Sequence, residues 1–233
     1  MHFSAVIFDL FGTIVEDING PPYDRAVQQM ASVLSADHDD FSRLWFATVD
    51  ERNIGLFLTL KDNVKYICQK LGVSVNDEQL SAAVEIRYNL ARQSMMVPRL
   101  GSVDTLFKLR ENNYKIGLIS DCSPSEPKIW PDTPFALLFD VTIFSCIVNM
   151  KKPDPKIYKL AASQLNVKCT DCLYVGNGGS NELSGAYEAR MYPALLLPEC
   201  HSEEYLLPSD EIMEYAKSHG KIISSVKEVL SLI

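Results

Sequence analysis

Two kinds of apolar pattern divide the chain. Ala5-Val-Ile-Phe8 is an unbroken apolar run, the pattern of a strand covered on both faces in a parallel sheet. A polar stretch from Glu16 to Pro22 follows, punctuated by Gly20-Pro21-Pro22. From Tyr23 to about Val97 apolar residues recur at helical spacing over 23–36, 40–53, 61–71 and 77–96, with no strand pattern among them. Gly72 stops the third of these helices, and the stretch from Ser74 to Glu78 offers caps for the fourth. Four successive helices are too many for one crossover, so residues 16–97 are read as a small all-helical domain inserted after the first strand. Pro98 closes it.

Beyond Gly101 helices and strands alternate. Helices are expected at 102–112, 155–165, 182–189, 210–219 and 226–232. Strands are expected at 115–120, 141–147, 172–175, 194–197 and 221–223, with a proline-rich loop or short helix running to Pro134. That alternation belongs to a parallel sheet. The expected fold class is α/β: a Rossmann-like parallel sheet core with helices on both faces, from residues 1–15 and 98–233, beside the helical domain.

Composition narrows the function classes. A net charge of −8 argues against a nucleic-acid backbone as partner, and it is silent about a membrane surface. No apolar run approaches the ~20 residues that span a bilayer, and the first residues lack a basic, then apolar, secretory pattern. A cytoplasmic protein without a membrane partner is expected; the oligomeric state is left open. The six cysteines (Cys68, Cys122, Cys146, Cys169, Cys172 and Cys200) are scattered through predicted elements, as reduced thiols are. Cys169 and Cys172 have CxxC spacing and Cys200-His201 follows downstream, but one pair is weak evidence for zinc.

Candidate chemistry gathers at strand ends. Asp9 closes the first strand, where a carboxylate is either a turn or helix cap or a nucleophile. Ser120-Asp121 closes the second, Lys152-Pro153-Asp154-Pro155 precedes a helix, and the turn from Gly176 to Glu182 follows Leu173-Tyr-Val. Parallel strand ends share one rim, so an anion there would meet a carboxylate, a hydroxyl, a lysine and helix N-terminal amides together.

Taken in order, Asp9-Leu-Phe-Gly-Thr13, Ser120, Lys152 and Gly176-Asn-Gly-Gly-Ser-Asn-Glu182 resemble the four motifs of the haloacid dehalogenase superfamily, with residues 16–97 in the place of its cap domain. The resemblance implies Asp9 as nucleophile, Ser120 as a donor to the substrate anion and Lys152 as the neutralising cation. It implies that Thr13 fixes the loop, and that Phe11, Gly12, Asp121 and the cap residue Arg52 contact a small anionic substrate. Arg87, Tyr88 and Arg92 are further candidates on the cap. In the superfamily's phosphatases Mg²⁺ would be held by Asp9, the Phe11 carbonyl and Asn177, with Asn181 or Glu182 in addition.

Two positions depart from the phosphatase pattern. Phe11 stands where an acid/base Asp is usual, a loss typically worth ~10²–10⁴-fold in rate. Asn177 stands where an Asp is usual, which removes charge from a site for a hard cation. Both also resemble the metal-free 2-haloacid dehalogenases. That branch follows a Leu-Trp pair with arginine, however, whereas Leu44-Trp45 precedes Phe46, and Asp121 would repel a haloacid carboxylate. A hydrolase of small phosphate monoesters ranks first, a dehalogenase-like hydrolase second, and a catalytically impaired anion-binding module third.

Overall fold

The first apolar run is buried at every position and becomes strand β1 (Ala5–Phe8). The computed structural model describes residues 2–197 and 208–233. Within them β1 joins β2 (Lys115–Ser120), β3 (Val141–Phe144), β4 (Cys172–Gly176), β5 (Tyr192–Leu196) and β6 (Lys221–Ile223). The sheet order is β3-β2-β1-β4-β5-β6 and every pairing is parallel. Phe8 pairs with Leu118 on one side and Val175 on the other, so the residues after β1, β2 and β4 emerge on one edge. The chain order reverses beside β1, the place where open α/β sheets bind ligands.

Strand alternation sends the two halves of each apolar run to opposite faces. Val6 and Phe8 join Leu106 and Leu109 of the first core helix in one apolar cluster, while Ala5 and Ile7 pack with Ile157, Tyr158 and Ala161 in another. Between β1 and β2 lie α1 (Pro21–Val33), α2 (His38–Ala47), α3 (Val49–Asn53), α4 (Leu60–Leu71), α5 (Asp77–Met95) and α6 (Ser102–Glu111). Of these, α1, α2, α4 and α5 build a core of their own around Val27, Met30, Leu34, Phe41, Trp45, Val64 and Ile67. The C-terminal part of α5, through Tyr88, Ala91 and Met95, reaches the apolar cluster of the sheet. Reciprocal caps start α4 (Thr59 with Asp62) and α5 (Asn76 with Gln79), and left-handed Gly72 ends α4. The remaining helices are α7 (Glu126–Ile129), α8 (Ser145–Val148), α9 (Pro155–Gln164), α10 (Glu182–Glu188) and α11 (Asp210–His219).

Four expected elements differ in detail. The helix read over 40–53 breaks into α2 and α3 at Thr48, whose hydroxyl bonds back to the Leu44 carbonyl at 2.9 Å and competes with the backbone ladder. The strand read over 141–147 ends at Phe144, because Ser145 turns its hydroxyl to accept the Cys122 N–H at 2.9 Å and the chain coils into α8. The first helix begins at Pro21, where a missing N–H is harmless. The terminal segment Val226–Ser231 is 3₁₀ rather than α-helical.

Cys68, Cys122, Cys146, Cys169 and Cys172 are free thiols. Cys200 and His201 lie outside the described residues. Among the described residues no helix is long and apolar enough to cross a membrane.

Candidate active site

Asp9 is fixed by its own backbone before its side chain acts: its N–H extends the sheet to the Val175 carbonyl at 2.9 Å. Both carboxylate oxygens are held. Lys152 Nζ donates to Oδ1 at 2.6 Å, and the fully buried Thr13 donates its hydroxyl to Oδ2 at 3.2 Å. The carboxylate is therefore anchored yet borders a cavity of about 230 Å³, whose wall includes Phe11, Asp17, Arg52, Asp121 and Asn177.

Lys152 lies at the centre of the charge network. Its ammonium bridges Asp9 and Glu182, with 2.6 Å to each, and its backbone N–H donates to Asp121 Oδ1 at 3.0 Å. Burial alone would weaken the ammonium, but Asp9, Glu182 and Asp121 outweigh it and hold its pKa well above the ordinary lysine value. Glu182 is fully buried at the start of α10. It accepts from Lys152, from the Tyr174 hydroxyl at 2.7 Å and from the Gly178 N–H at 2.9 Å. Burial, opposed by Lys152 and reinforced by Asp9, pushes its pKa up to about 7. Burial likewise raises Asp121, against the pull of Lys152.

The loop after β1 requires glycine at one point. Gly12 has φ +76°, and a Cβ there would collide with the Asn177 side-chain nitrogen. The Gly12 carbonyl accepts from Arg99, a buried residue that no motif or periodicity marks, since it follows the Pro98 break. Ser120 lies at the end of β2, 1% exposed, and its hydroxyl has no hydrogen-bond partner among the described residues. It is a spare donor beside the strand end that carries Asp9.

The cavity wall opposite the strand ends comes from the helical block. Arg52 and Arg87 both line it. Of the other cap candidates, Arg92 is exposed and Tyr88 packs on the sheet's apolar cluster instead. Glu126, Ser123 and Asp17 also line the cavity, and none of them was legible as a site residue in the sequence. Glu126 and Ser123 fall in the proline-rich loop, where no periodicity marks an inward side chain.

The donor set bears on whether Mg²⁺ fits. A hard cation favours several oxygens, carboxylates foremost. Here Asp9 has one oxygen on Lys152, and the Asn177 side-chain oxygen accepts from the Gly179 N–H at 3.0 Å. The three bonds to Glu182 tie it behind Lys152, away from the cavity wall. Among the described residues no group of three His, Cys, Asp or Glu side chains is placed to hold a metal. The residues expected to ligate Mg²⁺ do not fit a tight site for it.

Known proteins share this arrangement of strand ends and helical block. The family of haloacid dehalogenase-like hydrolases matches residues 3–189. A glyceraldehyde 3-phosphate phosphatase of Pyrococcus abyssi is 30% identical over 54% of this chain, and the match spans only about half (53%) of that relative's length. An (S)-2-haloacid dehalogenase of Pseudomonas fluorescens is 24% identical over 76% of this chain and 77% of its own. Among solved structures, a family enzyme of Bacteroides thetaiotaomicron, crystallised with magnesium and inorganic phosphate, superposes with a TM-score of 0.64. It shares 18% identity and covers 86% of this chain and 97% of that one.

Proposed function

Since this chain belongs to the haloacid dehalogenase-like hydrolases, we propose that it hydrolyses a small phosphate monoester with Asp9 as the attacking group, residues 16–97 serving as a cap over the site. The observation that carries this reading is the Asp9 carboxylate, held 2.6 Å from a buried ammonium at the cavity wall. The spare Ser120 donor lies on the neighbouring strand end. An anionic nucleophile and an anionic substrate repel each other, so the site must supply positive charge and donors. Lys152 and the Ser120 hydroxyl supply them at the strand ends.

In the first step an Asp9 oxygen bonds to phosphorus and the bond to the leaving oxygen breaks, the electron pair departing with that oxygen. In the second, water hydrolyses the acyl phosphate, returning the Asp9 carboxylate and releasing inorganic phosphate. Thr13 and Lys152 hold the carboxylate in place through both steps. Phe11 can protonate nothing, so the leaving oxygen departs as its anion or takes a proton from solvent. Aryl phosphates, whose leaving groups are weak bases, are expected to turn over faster than alkyl phosphates by ~10²-fold or more. No step is routed through a metal ion.

A 2-haloacid is the second reading, favoured by the aromatic Phe11 and the amide Asn177 at the two positions where phosphatases carry acids. There Asp9 would displace halide from carbon, and water would cleave the resulting ester. One experiment separates them: release of phosphate from an aryl phosphate and of halide from a 2-chloro acid, each with wild type and Asp9→Asn. Phosphate release that Asp9→Asn abolishes supports the first reading; halide release alone supports the second. Silence in both assays would overturn catalysis through Asp9.

A further inference from the structure

The cap wall of the cavity holds two buried arginines against one carboxylate. Arg87, on α5, pairs with Glu126 at 2.8 Å. The other Glu126 oxygen accepts from Ser123 at 2.6 Å and Ser125 at 2.9 Å, so that acid is fully committed. Arg52, on α3, is 1% exposed and, among the described residues, pairs with no carboxylate. Its Nη1 donates to the Trp45 carbonyl at 3.0 Å and to Asn63 Oδ1 at 2.8 Å, and its guanidinium lies 3.9 Å over the Trp45 ring. Arg52 Nη2 and Arg87 Nε and Nη1 are buried without hydrogen-bond partners among the described residues.

A buried cation with unmet donors is unfavourable unless an anion meets it. Burial, with the Arg87 charge acting in the same direction, lowers the Arg52 pKa from its ordinary value. A negative group would relieve that penalty. Burial raises the pKa of two further acids on the wall, Asp17 and Asp121. Asp17 is in addition engaged by Asn19, at 2.9 and 2.7 Å.

We propose that Arg52 and Arg87 form a second anion subsite, so that the substrate carries a carboxylate as well as its phosphate: a phosphorylated short-chain carboxylic acid. This rests on the phosphate reading of the Asp9 end and deepens it. The planar guanidinium fork matches a carboxylate. A cavity of about 230 Å³ has room for a phosphate, a few carbons and a carboxylate.

The test is calorimetric binding of two non-hydrolysable probes, phosphonoacetate and methylphosphonate, which differ by the carboxylate alone. Wild type is expected to bind phosphonoacetate more tightly by on the order of 10- to 100-fold, the range of a charge-assisted hydrogen bond pair. Arg52→Met should shrink that ratio to near one, and Arg52→Lys, which keeps charge but loses the fork, should fall between. Equal binding of both probes by wild type overturns the subsite and leaves the phosphate reading standing. Failure of both probes to bind wild type overturns the phosphate reading and the subsite together. A ratio preserved in folded Arg52→Met assigns the carboxylate elsewhere and also overturns the proposal. The wild-type ratio needs no variant, so it decides the matter even where Arg52→Met fails to fold.

Discussion

At the scale of single residues, one ammonium organises the site. Lys152 separates Asp9 from Glu182 at 2.6 Å each, all three being buried. Removing one partner of a buried network leaves the others uncompensated, which costs about 3–5 kcal/mol. Lys152→Met is therefore expected to lose that much stability in denaturant titration and to lose turnover as well. Glu182 contributes a pH signature of its own. Its folded pKa, near 7, lies above the ordinary 4.5, so the folded state holds this proton more tightly than the unfolded chain. The stability it contributes is present in full below pH 4.5 and is lost as pH rises through about 7. Melting temperature measured across that window should fall more steeply in wild type than in Glu182→Gln; parallel profiles would contradict the assignment. The fourth-motif turn made an acid at position 182 legible in the sequence, and there it was grouped with metal ligands. Its actual partners, Tyr174 and the Gly178 N–H, come from the preceding strand and turn, and their convergence behind Lys152 is a product of the folded sheet.

At the scale of elements, the loop after β1 and the turn after β4 meet face to face. Gly12 has φ +76° and has no room for a Cβ beside Asn177. Gly12→Ala is expected to destabilise the protein by ~1–3 kcal/mol through backbone strain alone and to lower turnover, since Thr13 is carried by the same loop. The Asn177 amide lies against Gly12 of this loop and lines the cavity with Asp9, so Asn177→Asp would add a carboxylate to that wall. Added Mg²⁺ is expected to raise the melting temperature of Asn177→Asp but not that of wild type, the linkage expected of a ligand that binds only the folded state. Stabilisation of wild type to the same degree would restore a metal site. The strands and most helices were legible because apolar period and caps agree. Thr48 and Ser145 were not, since each ends an element with a side-chain bond, to a carbonyl one turn back or to a distant N–H. The spacing of apolar residues cannot register either.

At the scale of the whole molecule, the helical block is fastened across the cavity by few polar ties. Arg87 reaches Glu126 on the sheet side, Lys151 pairs with Asp50, and Asn149 donates to the Ile54 carbonyl at 2.8 Å. The first is buried and the other two are exposed, so the first dominates. Arg52 and Arg87 were legible as cap candidates; that they are buried, and that one of them lacks a carboxylate, follows from how α3 and α5 pack and is invisible in their spacing. The proposed nucleophile is Asp9, and acid quenching of the enzyme during turnover of an aryl phosphate, followed by peptide mapping, tests it. The expected result is a phosphoryl group on Asp9 in wild type, with Asp9→Asn carrying no adduct and turning over slower by ~10⁴-fold or more. Undiminished turnover in Asp9→Asn, or a phosphoryl group on another residue, would contradict it.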